Sequence, residues 1–419
     1  MQGVRVVLAA LVLGAPLTAG AAEVTRLASS FEENDPFGLF VDLGFERTQR
    51  NASITHETQA GGAPADRAEL NFRGVDSRLN IDVKVGLYRD LQLSFRLPVI
   101  IQQNQRWDYA AGNTAATSTI TNNCLNADGT SAAPGCQPLY GVPAESFRGG
   151  LGNMTFGLAY AFFNQDRDET KPTWVVAFDY EAPTAALLNP TEDTSDADSR
   201  GGVGDRTHKY TFSTALSRRI GVAEPYFRAS YTLPYRGPGW YSNCDDPDPS
   251  RMAHPENCNT AAWTREDTGI RMPHEAGVLF GSEFAVWDNP AKQQKVRLDA
   301  RLIGNYVSSG RYANELSQLA HKLLDTQDYL QLGGRVGFYA SATDFFQLRL
   351  GTGLVYNTAH DLTRAELGKD VNGDGKVDSS AGSDELNPDF DFRADLPGRR
   401  FRINAEYDFS VDLTLAFNF

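Results

Sequence analysis

Beyond its N-terminus, the sequence lacks the long apolar run that a membrane-spanning helix needs. Such a helix takes about 20 consecutive apolar residues, and no segment after residue 22 comes near that length. The mean hydropathy of −0.39 agrees with this observation. If the chain crosses a membrane, it must therefore cross it with β-strands.

Positive charge is also scarce. The chain has 39 Lys and Arg residues against 53 Asp and Glu residues, which gives a net charge of −14. Because binding to a nucleic-acid backbone depends on clustered Lys and Arg, we expect no nucleic-acid partner.

Cysteine is rare, and the four cysteines form two near pairs, Cys124 with Cys136 and Cys244 with Cys258. Both pairs lie in segments rich in Pro, Gly, Asn and Asp, which are typical of loops. Four cysteines can pair in three ways, and two local disulfides that brace loops are the simplest choice in an oxidising compartment. A metal site built from all four is disfavoured, because no C-x2-C spacing is present.

The N-terminus carries the one apolar run. Residues 1–22 have the features of a secretory signal peptide, with Arg5 as the basic region, "VVLAALVLGAPLTAG" as the apolar region and small residues for cleavage after Ala21 or Ala22. A buried core helix is the alternative, but the run is short and contains Pro16. We therefore expect an exported protein.

The rest of the chain is dominated by the alternation of apolar and polar residues. In "FSVDLTLAFNF", residues 409–419, every second residue is apolar, and this period of two is typical of a strand with one apolar face. The pattern recurs about twelve times between residues 37 and 419. Short turns and long loops alternate between these strands. The long loops are expected near residues 48–75, 102–149, 183–206, 234–273, 308–326 and 357–398.

Long loops on one rim and short turns on the other are the plan of outer-membrane barrels. We therefore predict an all-β fold over residues 37–419, a closed antiparallel transmembrane β-barrel of about twelve strands with short periplasmic turns and long extracellular loops. Residues 23–36 would form either a periplasmic segment or a plug in the lumen. A soluble β-sandwich would also show a period of two, but it would not need the alternation of long and short connections.

The last strand resembles the C-terminal strand of Gram-negative outer-membrane β-barrels. The resemblance rests on Val411, Leu413, Leu415, Phe417 and Phe419. In those proteins a final Phe after alternating apolar residues is the signal for the barrel assembly machinery. The resemblance implies this role for Phe419, and it implies surroundings of outer-membrane lipid and lipopolysaccharide.

A second resemblance lies in "RGGLGNMTFGLAYAF", residues 148–162. It is similar to the "GLGD" that opens a strand in outer-membrane channels of the phenol-degradation and fatty-acid-transporter types, with Asn153 in the place of Asp. This resemblance implies that a small solute passes through the barrel.

If the apolar residues of each strand face lipid, the residues between them face the lumen. Those positions carry both signs of charge. The charged residues predicted to line the lumen include Arg78, Arg96, Arg228, Arg297, Arg301, Arg335, Arg349, Arg402, Asp82, Asp179, Glu283 and Asp299. Such rows favour a narrow, water-filled passage whose charges set its selectivity. Alternatively, these groups neutralise one another in a structural barrel that acts through its external loops.

The sharpest local motif is "DVNGDGKVD" in the last long loop. Its D-x-N-x-D-G-x-x-D spacing begins an EF-hand-type calcium loop and resembles the calcium loops of dockerin and thrombospondin type-3 repeats. The predicted ligands are the side chains of Asp370, Asn372, Asp374 and Asp378 and the carbonyl oxygen of Lys376. The twelfth position is Ala381, which is not acidic, so Asp384 or Glu385 would have to supply the last ligand.

We predict no enzymatic activity. The sequence contains no G-x-S-x-G, no HExxH and no nucleotide-binding loop. His208 and His274 fall near the predicted outer rim, where a barrel hydrolase would place its base, but no neighbouring serine offers a convincing nucleophile. Elsewhere, "YANELSQLAHKLLDTQDYL" has leucines at helical spacing, which predicts a short helix within a loop.

Overall fold

The structure is a computed structural model that describes residues 22–29, 38–60, 63–120, 125–131, 139–380 and 382–419. The predicted signal peptide up to Ala21 lies outside these ranges. Cys124, Cys136 and residues 30–36 of the predicted N-terminal segment also lie outside them. No helix in the described part of the chain is long and apolar enough to cross a membrane.

Strands are the main secondary structure of the described chain. In chain order they are β1 Leu39–Ala60, β2 Ala63–Tyr88, β3 Leu91–Tyr109, β4 Ala144–Leu151, β5 Thr155–Phe163, β6 Thr173–Glu181, β7 Thr207–Ser217, β8 Ala223–Arg236, β9 Glu275–Asn289, β10 Gln294–Val307, β11 Gly310–Tyr312, β12 Leu324–Thr326, β13 Tyr329–Ser341, β14 Phe346–Asn357, β15 His360–Asp361 and β16 Phe401–Asn418. One short helix, α1, spans Ser317–Ala320, within the segment where the leucine spacing predicted a helix.

Each barrel strand pairs antiparallel with its neighbours, and β16 closes the sheet by pairing with both β14 and β1. Leu39 and Phe419 exchange two backbone hydrogen bonds of 3.0 and 2.8 Å at this seam. β3 pairs with β5 and then, beyond residues 152–154, with β4, so β4 and β5 together act as one wall strand. The wall therefore has twelve strands, and the predicted fold class is confirmed.

The outer face of the barrel is a belt of exposed apolar side chains. Phe280 and Leu302 are 56% and 69% exposed at mid-height, and lipid is the surrounding in which such a continuous apolar surface is stable. Aromatic residues border the belt, with Tyr231 and Tyr306 on the long-loop side and Tyr88 on the short-turn side. These aromatic rims are the interfacial girdles of a membrane barrel.

Two predicted loop ranges, 48–75 and 102–149, are wrong over much of their length. β1 and β2 run through the first range, and the second contains the end of β3 and most of β4. β2 has 26 residues, whereas about 9–11 residues cross a membrane, so the surplus stands outside the lipid. There the strands meet water and loops instead of lipid, and the apolar alternation that marks a lipid-facing strand is lost.

These strand extensions support a hydrophobic core at the outer end of the barrel. It joins residues of β1, β2, β3 and β16 to residues of the long loops. We call this set the loop core. Its fully buried members are Ile54, Leu70, Trp107, Ile120, Leu316, Leu362, Phe401 and Ile403. Since its members come from several loops and from the inner side of the wall, the loop core joins the long loops to the outer end of the barrel.

Candidate functional site

Residues 22–29, the lumen segment, lie inside the barrel at its short-turn end. Ala22 and Ala28 are fully buried. The backbone N–H of Ala22 donates to Glu224 on β8 over 2.7 Å, and that of Ala28 donates to Gln92 on β3 over 2.8 Å. Because these two strands lie well apart around the wall, the segment is held across the lumen. The described part of the predicted N-terminal segment therefore lies inside the barrel, bonded to strands on two sides of the wall.

Charge also holds the lumen segment. The carboxylate of Glu23 lies 2.8 Å from the guanidinium of Arg349, which is 3.4 Å from Asp42 on β1. The backbone N–H of Glu23 donates to Glu283 over 2.6 Å. Leu27 packs against small residues of β5 and β6. The lumen segment is thus held by ion pairing on one side of the lumen and by apolar packing on the other.

Most of the predicted lumenal arginines are paired with carboxylates. The pairs are Arg78 with Asp76, Arg96 with Asp82, Arg297 with Glu283, Arg301 with Asp299, Arg335 with Asp412, and Arg349 with Glu23 and Asp42. Tyr226 and Tyr339 also donate to Asp299. In these pairs the lumenal charges therefore neutralise one another, as expected if the barrel has a structural role.

The placement of Arg402 in the lumen is wrong. Ala405 has a positive φ of 49° and forms a bulge in β16, and this extra residue reverses the inward–outward order beyond it. Phe401 and Ile403 consequently face the interior and join the loop core. Arg402 lies on the other face, where it pairs with Asp361 at 3.2 Å.

One region of the lumen is open. A cavity of about 380 Å³ lies between the lumen segment and the wall formed by β2, β3 and β5–β8. Part of its wall is made of small inward residues, and charged side chains such as Lys84 and Arg96 line the rest. The small residues include Ala159, Ala177, Thr211, Ser213 and Ala215. Small side chains on the three consecutive strands β5, β6 and β7 leave space that larger ones would fill.

Two charged residues at this cavity have few partners. Arg228 donates one long hydrogen bond, 3.4 Å, to Ser213, and Asp179 forms no salt bridge with any described residue. Gly157 faces Asp179 so closely that a Cβ there would lie 2.3 Å from its Oδ1 atom. Among the described charged residues that line this cavity, Arg228 and Asp179 are therefore those without a salt-bridge partner.

The "DVNGDGKVD" loop is curled but its carboxylates bind backbone groups. Asp370 accepts the N–H groups of Gly373 and Gly375, and Glu385 accepts those of Val371, Asn372 and Asp378. Within the described ranges, no three His, Cys, Asp or Glu side chains are grouped as metal ligands. The oxygen donors suit a hard cation such as Ca²⁺, but in this conformation they do not converge.

The remaining predicted residues lie away from the lumen. Cys244 and Cys258 form a disulfide in the loop after β8. His208 is hydrogen-bonded to the hydroxyl of Tyr180 over 2.8 Å, and His274 to that of Tyr231 over 2.9 Å. Both histidines thus belong to the aromatic rim on the long-loop side.

No family model matches the sequence, and no curated protein matches it. Solved structures with some likeness include an outer-membrane channel from Pseudomonas putida F1, with 12% identity, a TM-score of 0.42, and coverage of 90% of this chain and 95% of that chain. A FadL homologue from Pseudomonas aeruginosa has 8% identity, a TM-score of 0.35, and coverage of 91% and 90%. An anion-selective porin from Comamonas acidovorans has 11% identity, a TM-score of 0.24, and coverage of 91% and 100%.

The architecture of the barrel indicates the kind of membrane in which the protein lies. A closed antiparallel barrel, an apolar belt and aromatic rims together form a surface that fits a lipid bilayer. Long connections on one rim and short turns on the other are the arrangement of bacterial outer-membrane proteins. The chain is an outer-membrane β-barrel of a Gram-negative bacterium.

Proposed function

We propose that the barrel passes a small polar solute across the outer membrane and that the lumen segment gates the passage. The observation that carries this proposal is the cavity of about 380 Å³ beside Arg228 and Asp179. A purely structural barrel does not need a cavity that contains two charged side chains without salt-bridge partners. Unpaired charge in a low-dielectric space lowers stability. One cationic and one anionic group together favour a zwitterionic solute over ions of a single sign.

Among the described residues, the lumen segment is the part of the chain that lies across the passage, at the short-turn end of the barrel. Passage therefore requires displacement of residues 22–29, which polar contacts and one small apolar patch hold in place. Segments held in this way open more readily than the strands of the wall.

We expect the substitution Arg228→Glu to shift ion selectivity towards cations by several-fold, because charge that lines a narrow lumen sets its selectivity. The measurement is the reversal potential of open channels in a planar bilayer under a KCl gradient. Arg106→Glu is the matched control, since Arg106 lies on the part of β3 outside the membrane and is exposed. A folded, heat-modifiable barrel that never conducts, or two variants with equal selectivity, would contradict the proposal.

A structural or surface-interaction barrel is the second candidate, and the loop core favours it. The long loops share buried polar contacts, such as the donation from Asn243 to Asp389 over 2.9 Å. A barrel that displays ordered loops to a partner needs such packing. The bilayer measurement separates the candidates, because this one requires no conductance. Neither candidate includes an enzymatic activity.

We further propose that Phe419 acts as the assembly signal. Its ring lies at the short-turn rim, 55% exposed, and meets Phe345 edge-on with ring centroids 4.8 Å apart. An exposed aromatic side chain at the short-turn end of the closing strand is accessible to the assembly machinery.

We also propose that the loop from Asp370 to Asp378 binds one Ca²⁺ ion. Its backbone is already bent at Gly373 and Gly375, which have φ of 80° and 85°, so the cation needs only to draw the side-chain oxygens inward. The ion would stiffen this loop, and at the cell surface it could bridge to lipopolysaccharide phosphate.

For this site we expect a dissociation constant of about 10⁻⁴–10⁻³ M, as in extracellular calcium modules. Isothermal titration of the purified barrel with CaCl₂ measures it. Asp370→Ala is expected to abolish the heat of binding, and Glu366→Ala, exposed in the same long loop but outside the motif, is the control. Absence of binding to the native protein at 10-fold higher calcium, or equal binding by the Asp370→Ala variant, would overturn the calcium site.

A further inference from the structure

Two buried carboxylates meet the start of the lumen segment. Glu224 is 6% exposed and Glu283 is 3% exposed. The backbone nitrogen of Ala22 lies 2.7 Å from Oε1 of Glu224, and that of Glu23 lies 2.6 Å from Oε1 of Glu283. Each of the first two described residues thus places its nitrogen against a carboxylate.

The two carboxylates differ in how their charge is balanced. Glu283 lies 3.2 Å from the guanidinium of Arg297. Glu224 accepts from the hydroxyl of Ser217 over 2.8 Å and forms no salt bridge with any described side chain. Arg219, which lines the same small cavity as Glu224, pairs instead with Asp166 at 2.9 Å.

A buried carboxylate without a cation is costly, and hydrogen bonds from neutral groups offset only part of that cost. The groups around the Ala22 nitrogen form a closed network. Thr25 shares a hydrogen bond of 2.8 Å with Ser217, and its backbone N–H donates to the carbonyl oxygen of Ala22 over 2.9 Å. A positive charge on the Ala22 nitrogen would complete this network.

We propose that signal-peptide cleavage occurs after Ala21 and that the new α-ammonium group of Ala22 is the cation bound by Glu224. Cleavage adds water across the Ala21–Ala22 bond, leaving a carboxylate on Ala21 and an amine on Ala22 that takes up a proton. Residues 19–21 read A-G-A, which fits the A-x-A rule for the cleavage site.

The other cleavage position suits the structure less well. Cleavage after Ala22 would put the ammonium group on Glu23, beside Glu283, whose charge Arg297 already balances. It would also remove the residue whose nitrogen reaches Glu224. The geometry therefore selects Ala21 from the two positions that the sequence allows.

We call the ion pair between the α-ammonium group of Ala22 and the carboxylate of Glu224 the latch. It can form only after export. Before processing, the Ala22 nitrogen is a neutral amide with one donor. After processing it carries charge and three donors, so the lumen segment is bound by a charge-assisted hydrogen bond. This inference does not depend on whether the barrel conducts a solute, so a failure of the proposed function would leave it standing.

The first experiment is N-terminal sequencing and intact mass measurement of the protein purified from outer membranes. We expect the chain to begin at Ala22. A chain that begins at Glu23, or that keeps its first 21 residues, would overturn the proposal.

The second experiment measures the reactivity of the α-amine towards an amine-selective acylating reagent at neutral pH, read by peptide mass spectrometry. We expect at least about tenfold faster labelling in Glu224→Gln than in the native barrel, because the ammonium group loses its partner. Glu169→Gln, in the exposed turn between β5 and β6, is the control.

Equal rates in the native and Glu224→Gln barrels would overturn the latch, and so would an equally large increase in Glu283→Gln. Heat-modifiability establishes that each variant is folded. Should Glu224→Gln fail to fold, insertion of one Ser between Ala21 and Ala22 moves the ammonium group away from Glu224 and leaves the wall intact. The insertion is expected to raise the labelling rate in the same way, and an unchanged rate would contradict the latch.

Discussion

Deletion of residues 22–29, with the signal peptide left in place, is expected to raise the single-channel conductance by roughly an order of magnitude. In the native structure this segment occupies the short-turn end of the lumen and touches β3, β8, β9 and β14. Its removal leaves a ring of charged groups that water can hydrate. The measurement is the size and frequency of current steps in planar bilayers.

The control for this deletion is removal of residues 371–378 from the exposed external loop. It removes the same number of residues and touches no part of the lumen, so we expect the native conductance. Arg349→Gln, which breaks the bridge to Glu23, should give an intermediate result, with more frequent openings of native size. If the deletion leaves a folded barrel with native conductance, the lumen segment is not the gate.

The sequence predicts the barrel well where lipid surrounds it. Lipid requires an apolar side chain at every second position, and strands such as β7 and β13 therefore show the period of two. Above the membrane this requirement ends. Residues 48–60 continue β1 with Ile54 and His56 facing the loop core, and nothing in their composition distinguishes them from a loop.

The bulge in β16 is a second feature that could not be predicted from the sequence. A residue with positive φ is usually Gly or Asn, but here it is Ala405, so the reversal of parity leaves no mark in the sequence. Arg402 was therefore predicted to lie in the lumen, whereas its neighbours Phe401 and Ile403 are the residues that face the interior.

For the lumen, the sequence predicted a set of charged residues but not which of them pair with one another. Arg228 and Asp179 belong to the same alternating rows as the paired residues, and their pairing depends on contacts across the barrel. Arg349, for example, meets Glu23 of the lumen segment. Glu224 was not predicted at all, because a single carboxylate just after a short turn is unremarkable in a sequence. Only the folded chain brings it to Ala22.

The loop core is the other place where a single substitution should have a large effect. Trp107 on β3 is fully buried, its ring lies 5.8 Å from that of Phe72, and its Nε1–H donates to the carbonyl oxygen of Glu315 over 2.7 Å. Glu315 in turn pairs with Arg50 on β1. Trp107 thus joins the wall to the loop that carries α1.

We expect Trp107→Ala to destabilise the loop core by about 3–5 kcal/mol, the usual cost of truncating a buried tryptophan. Because proteolysis follows the population of the open form, cleavage of the external loops should accelerate at least about a hundredfold, while the transmembrane wall keeps its heat-modifiable mobility. Trp287→Ala is the control, since Trp287 is exposed at the short-turn rim and does not touch the loops. If both variants were cleaved at the native rate, the loops would be ordered by their own contacts, and the mouth would not depend on the packing that joins them to β3.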